Sequence, residues 1–123
     1  MKNIILEIKT KRIKIKLLDT NTANLIRKNL PIISKVQKWG EEIFFNTNLI
    51  VPLEKDAKEV VNLGEIAFWT EGSAVAIGYG RTPASTGDEI RLISPCNVWG
   101  DAEFNKDFFK NVNEGDDIKL YLD

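Results

Sequence analysis

The 123-residue chain contains no histidine and a single cysteine, Cys96. Without histidine it lacks the commonest general base and the commonest metal ligand of proteins. One cysteine excludes an internal disulfide, which is consistent with a reducing compartment, and a zinc site built from one thiol and carboxylates would be unusual. We therefore predict no metal site, no cofactor and no catalytic residue of the common nucleophilic types.

Long apolar runs and a strong excess of charge are also missing. No stretch reaches the ~18 apolar residues of a membrane-spanning helix, and the N-terminus lacks the pattern of a signal peptide. The 17 Lys and Arg residues nearly balance the 18 Asp and Glu residues, so no global field attracts nucleic acid or an anionic membrane. The sequence predicts one cytoplasmic domain over 1–123 that binds neither.

What the sequence does contain is period-two alternation of apolar and polar residues, which is typical of half-buried strands. Strands are predicted at 3–9, 12–18, 33–39, 42–46, 64–69, 74–80, 89–99 and 118–122. The last part of 89–99 is expected to bend at Pro95, which cannot donate to a sheet. Residues 48–62 are irregular and are predicted to form a mobile lid.

Two short helices are predicted between these strands. The first, Thr22–Asn29, places Ala23 and Ile26 at helical spacing, and Pro31 ends it. The second begins near Asp101 and ends before Gly115, with a stripe formed by Phe104, Phe108 and Val112. Eight strands and two helices predict a mainly β fold, a closed eight-stranded β-barrel with the helices capping its ends.

Several junction segments resemble the cyclophilin-like fold, and in particular a small prokaryotic cyclophilin-like family of unknown function. The segments that carry this resemblance lie at 39–45 (Trp-Gly-Glu-Glu-Ile-Phe-Phe), 64–69 (Gly-Glu-Ile-Ala-Phe-Trp), 80–85 (Gly-Arg-Thr-Pro-Ala-Ser), 89–91 (Glu-Ile-Arg) and 94–98 (Ser-Pro-Cys-Asn-Val). The resemblance implies an eight-stranded barrel with a helix at each open end.

The same resemblance does not imply an activity. True cyclophilins isomerise prolyl bonds with an arginine on the third strand and a Phe-x-x-Gln-Gly-Gly-Asp segment on the fourth. Here the third strand, 33–39, contains no arginine, and the fourth, 42–46, contains no Gln-Gly-Gly. No catalytic residue is therefore carried over, and whether the chain is an enzyme stays open, with a weak or divergent prolyl isomerase as the alternative to a binding module.

Arg81 is the residue that the sequence singles out for binding. It follows a glycine and precedes two hydroxyl residues, an arrangement that suits a carboxylate, a phosphate or a peptide carbonyl. The alternative is an ion pair with Asp88 or Glu89 that fixes the loop. The predicted cleft on the barrel wall is lined by Phe45, Trp69, Tyr79, Arg81, Thr82, Ser85 and Asn97.

The expected occupant of this cleft is a small anionic metabolite or a peptide, and a homo-oligomer formed through an uncovered strand edge is a further alternative. Trp39, Trp69 and Trp99 each end a predicted strand, so they either line the mouth of the cleft or fill the barrel. Glu41 and Glu42 are adjacent and therefore point to opposite faces of a strand, which favours structural or solvated roles over shared acid–base chemistry.

Overall fold

The computed structural model describes residues 3–123. Ten strands, one α-helix and one 3₁₀ turn make up the fold, and the strands belong to one antiparallel sheet. Their bounds are β1 Asn3–Ile8, β2 Lys11–Leu17, β3 Ile32–Lys35, β4 Gln37–Lys38, β5 Glu42–Asn46, β6 Lys58–Val61, β7 Glu65–Trp69, β8 Ala74–Gly78, β9 Ile90–Asp101 and β10 Asp117–Leu122. Helix α1 spans Asn21–Lys28, and the 3₁₀ turn spans Lys106–Phe109.

The sheet closes on itself through β3 and β4. The strand order is β3-β10-β1-β2-β9-β7-β8-β5-β4, with β6 added beside β9. Only Val36 separates β3 from β4, and its backbone bonds to Asp116 and Gly115 continue the pairing with β10. Counted as one bent strand, β3 and β4 pair with β10 on one side and β5 on the other, which gives the predicted eight-stranded barrel.

The barrel interior holds the main core, and the alternation seen in the sequence produces it. On β2, Ile13, Ile15 and Leu17 are buried while Lys14 and Lys16 are exposed. The same register sends Ile43 and Phe45 of β5 into this core. A second, smaller cluster of buried residues lies outside it and consists of Val61, Ala67, Leu92 and Cys96.

Helix α1 covers the end of the barrel where β2 finishes. Thr20 caps it by accepting a bond from the Ala23 N–H, and the helix begins at Asn21, one residue before the predicted start. The second predicted helix is wrong: only the 3₁₀ turn forms there, near Lys11 at the start of β2. Asp101 cannot cap it because this residue belongs to β9, where it pairs with Lys16, and Asn105 caps the shorter turn instead.

The segment at 48–62 is anchored, in contrast to the predicted mobile lid. Asn97 on β9 accepts a bond from the Glu54 N–H and donates to the Pro52 carbonyl. Glu54 in turn accepts from the backbone N–H and the hydroxyl of Thr22. These bonds fasten the segment across the α1 end of the barrel, and its last residues form β6.

Strand β9 bends where Pro95 was expected to interrupt it. Lys58 on β6 pairs with Cys96 and Val60 pairs with Arg91, so three residues of β6 oppose six residues of β9. The extra β9 residues form a bulge, and Ile93 within it is 55% exposed. The bulge stands on the outer wall of the barrel beside β7 and β8, and it creates a concave surface there.

Candidate functional site

A pocket lies on the outer wall of the barrel between the β4–β5 turn, the end of β7 and the β9 bulge. Its volume is about 110 Å³. Six side chains line it, three of them aromatic: Lys38, Trp39, Glu42, Phe44, Trp69 and Ile93. The ring of Phe44 meets that of Trp69 edge to face, with centroids 6.1 Å apart. The outer wall therefore contains an apolar pocket with one acidic group, although outward-facing strand positions are usually exposed to solvent.

Small residues on the neighbouring strand allow this pocket to form. The outward-facing positions of β8 are Ala74, Ala76 and Gly78, all buried. Glu42 pairs directly with Gly78, where an added Cβ would collide with Ile90. A larger β8 residue would therefore push the start of β9 away from the wall. The close neighbour that these small residues admit is β9 itself.

The carboxyl group of Glu42 is the unusual feature of the pocket. Its side chain is 5% exposed, and within residues 3–123 no group donates a hydrogen bond to Oε1. Burial raises the pKa of this carboxyl from its usual 4.5 to about 7. Near neutral pH the pocket therefore holds a carboxyl group that is poised between its neutral and its charged form.

Two other lining residues, Trp69 and Lys38, also carry polar groups. The indole Nε1 of Trp69 is buried and has no acceptor among the described residues. Lys38 Nζ donates to the carbonyl of Val112 at 3.0 Å, outside the pocket. The Cys96 thiol lies close enough for Glu42 to influence it, and its pKa is raised to about 12, first by burial and then by surrounding carboxylates. Cys96 is thus a neutral thiol at physiological pH.

Glu41, the neighbour of Glu42, has an entirely different environment. It accepts a bond from the Arg81 N–H at 3.1 Å and forms an ion pair with Lys106 at 3.3 Å. Its backbone also bonds to Tyr79 and to Arg81, so it fixes the turn after β8. The two adjacent carboxylates face apart as predicted, but sequence reasoning did not identify Glu42 as a pocket residue.

Of the seven residues that the sequence proposed for a cleft, only Trp69 lines this pocket. Phe45 lies in the barrel interior, and Tyr79 stacks on Phe109 at 5.1 Å between ring centroids. Asn97 is buried and holds the 52–54 segment. These three side chains face the core or the loop anchor rather than the outer wall.

Arg81, Thr82 and Ser85 lie together in the loop after β8, and their polar groups are engaged within it. Thr82 Oγ1 donates to the Arg91 carbonyl and accepts from the Ala84 N–H at 3.2 Å. Ser85 Oγ accepts from the Thr82 N–H at 2.9 Å. The exposed Arg81 guanidinium donates to the Gly87 carbonyl, not to Asp88 or Glu89 as the alternative supposed. This loop is internally satisfied.

Trp39 and Trp69 line the pocket, whereas Trp99 is fully buried in the barrel. The three tryptophans are therefore divided between the two roles that the sequence left open. Glu42 could have been found from its register, because it alternates with the core residues Ile43 and Phe45 and thus shares the outer face with Phe44. The sequence does not show, however, that a bulge from β9 covers that face.

The fold and the pocket define a small β-barrel protein with a concave site on its outer wall. The family model described as Cyclophilin-like matches residues 2–121, and the chain belongs to this family. No curated protein gives a significant match. In the described residues, no helix has the length and apolar character needed to cross a membrane.

Two solved structures share the fold. One is the solution structure of the hypothetical protein AF2241 from Archaeoglobus fulgidus, with 30% identity and a TM-score of 0.81, and the match covers 98% of this chain and 93% of that one. The other is McbB in complex with tryptophan, with 15% identity and a TM-score of 0.70. That match covers 96% of this chain and 44% of McbB, and at such low identity it shows the fold alone.

Proposed function

We propose that this cyclophilin-like protein is a binding module whose ligand, a small molecule or a peptide side chain, occupies the outer-wall pocket. The observation that carries the proposal is the Glu42 carboxyl, buried among aromatic rings with Oε1 unpartnered in the described chain. Leaving a buried polar group unpaired costs about 1–3 kcal/mol, so a ligand that supplies the missing hydrogen bond recovers that free energy.

The size of the pocket limits what it can take. Its volume of about 110 Å³ is below the ~150 Å³ of a cavity that accepts benzene. The pocket is open at its rim, where Ile93 is half exposed, so one group of a larger ligand can enter while the rest remains outside. McbB, part of which shares the fold, is known in complex with tryptophan, and a small-molecule ligand is consistent with that complex.

A peptide remains within this proposal because a single side chain would fill the pocket. The prolyl isomerase alternative has less support, since none of the six lining residues is an arginine. The predicted anionic metabolite would have to bind elsewhere, because the pocket carries an acidic group. Binding of an anion beside Arg81 stays a prediction, and anionic fragments in the same library test it.

A fragment library screened by thermal shift and by NMR of the tryptophan indole N–H signals tests the proposal. A ligand at 100 times its Kd should stabilise the fold by about 2.7 kcal/mol. Binders should shift the Trp39 and Trp69 signals and leave the interior Trp99 signal unchanged.

Two half-buried phenylalanines provide a matched pair of variants. Phe44→Ala removes one wall of the pocket and should abolish binding, whereas Phe108→Ala alters the 3₁₀ turn, which does not line the pocket, and should preserve it. A library without binders, or binding that survives Phe44→Ala unchanged, would contradict the proposal. A peptide assay that shows prolyl isomerisation above the uncatalysed rate would favour the alternative.

A further inference from the structure

The Glu42 carboxylate lacks a countercharge. Of the residues that line its pocket, Lys38 alone carries a positive charge, and its ammonium donates to Val112 instead. No ion pair of the described residues includes Glu42, whereas Glu41 beside it pairs with Lys106. Burying an ionised carboxylate is costly unless an opposite charge and hydrogen bonds compensate for it. A ligand that supplies both a positive charge and a hydrogen-bond donor would therefore gain much of its affinity from Glu42.

The walls around this carboxyl suit the same kind of partner. Trp39, Phe44 and Trp69 surround the cavity, and aromatic faces attract cations through their quadrupole. Such contacts strengthen as the cation loses its water. An aromatic enclosure that contains an ionised carboxyl group favours an organic cation over a carboxylate or a phosphate.

We infer that the pocket binds a protonated amine, whose N–H group donates to Glu42 Oε1 while its carbon atoms pack against the three aromatic rings. This inference rests on the proposed function and names the chemical class of its ligand. A primary or secondary alkylammonium fits better than a quaternary one, because the quaternary nitrogen has no hydrogen to donate. The limited volume of the cavity selects a single ammonium head with a few carbon atoms.

The other ionisable groups near Glu42 do not compete with this partner. Lys38 on β4 is engaged with Val112, and Cys96 on β9 is neutral because burial raises its pKa to about 12. Glu41 faces the opposite side of the strand and is paired with Lys106. The charge of the pocket near neutral pH is therefore controlled by Glu42 itself.

Three probes with the same carbon skeleton test the inference: butylamine, butan-1-ol and butyrate. Binding is followed by the indole N–H signals of Trp39 and Trp69 as each probe is titrated to its solubility limit. Butylamine should bind at least tenfold more tightly than butan-1-ol, and butyrate should not bind. The affinity of butylamine should rise about tenfold from pH 6 to pH 8, because Glu42 ionises over this range. The amine, with a pKa near 10.4, stays protonated throughout.

The adjacent residue Glu41 provides a matched control for Glu42. Glu42→Gln should reduce butylamine affinity about tenfold and remove its pH dependence, and Glu41→Gln should change neither. Equal binding of butylamine and butan-1-ol would overturn the inference and leave the proposed function standing, as would stronger binding at pH 6 than at pH 8. If no probe shifts the Trp39 and Trp69 signals, the inference is overturned, and the fragment library then decides the proposed function independently.

Discussion

The outer-wall pocket and the loop after β8 both contain polar groups, and the two regions differ in how these groups are satisfied. In the loop, Ser85 Oγ accepts from the N–H groups of Thr82 and Arg91, and Thr82 Oγ1 donates to the Arg91 carbonyl. In the pocket, Glu42 Oε1 and Trp69 Nε1 are buried without partners in the described chain. The polar groups of the loop are bonded within it, whereas the pocket contains two buried polar groups that have no partner in the described chain.

This difference shows which kind of feature marks a binding site. Charged and hydroxyl residues are common in loops because they stabilise turns, so their presence alone carries little information. A buried polar group without a partner is uncommon in native structures and calls for an explanation. The candidate site is therefore the pocket around Glu42 rather than the loop around Arg81.

Glu42→Gln should have the largest effect, because it removes the charge that is buried in the pocket. The folded protein holds this proton with a pKa of about 7 against 4.5 in the unfolded chain. The parent therefore binds more protons when folded and loses stability as pH rises from the lower value through the higher one, by about 3 kcal/mol in total. The variant lacks this loss, so its stability relative to the parent should increase by about 3 kcal/mol between pH 4.5 and pH 8.

Denaturant unfolding of both proteins at several pH values measures this difference. Glu41→Gln is the control, because its exposed ion pair contributes at most about 1 kcal/mol and has no comparable burial. Parallel pH profiles for the parent and Glu42→Gln would show that the Glu42 carboxyl titrates normally. In that case the pocket would lose the property that distinguishes it from the loop.

Thr82→Val should have the next largest effect, because it breaks the internal bonding of the loop. Valine has the shape of threonine but neither donates to the Arg91 carbonyl nor accepts from the Ala84 N–H, and position 82 is buried. The unpaired groups should lower the free energy of unfolding by about 2 kcal/mol. Thr86→Val, an exposed neighbour in the same loop, should change it by less than about 0.5 kcal/mol.

Chemical denaturation again provides the measurement, and the affinity of any pocket ligand serves as a second readout. Thr82→Val should leave that affinity nearly unchanged, because its bonds stabilise the loop rather than the pocket. A large loss of affinity with little loss of stability would instead place Thr82 in a binding site, as the sequence-based hypothesis supposed.

Local patterns in the sequence were sufficient for the barrel but not for the site. Alternation of residues such as Ile13 and Lys14 determines which side of a strand faces the core, and this local signal predicted the closed eight-stranded barrel. The second helix was wrong because β9 continues through Asp101, a long-range pairing with β2 that overrides the phenylalanine spacing.

The site depends on the same kind of long-range information. Phe44 and Phe45 are adjacent, yet one faces the pocket and the other the core, and only the register of β5 against β8 determines which. The wall that covers Glu42 comes from the β9 bulge, about fifty residues further along the chain. No local pattern shows that two segments so far apart enclose one carboxyl group.

Arg81→Ala should have the smallest effect, and it separates the two regions most directly. The guanidinium is exposed and its bond to the Gly87 carbonyl lies at the surface, so its loss should change stability by less than about 0.5 kcal/mol. Because Arg81 does not line the pocket, ligands that shift the Trp69 indole signal should bind the variant and the parent equally well. A weaker affinity for an anionic fragment in Arg81→Ala, with the Trp69 signal unaffected, would instead reveal a second site at the loop. The loop would then be a receptor despite its satisfied bonds, and unpaired buried groups would no longer suffice to locate binding in this barrel.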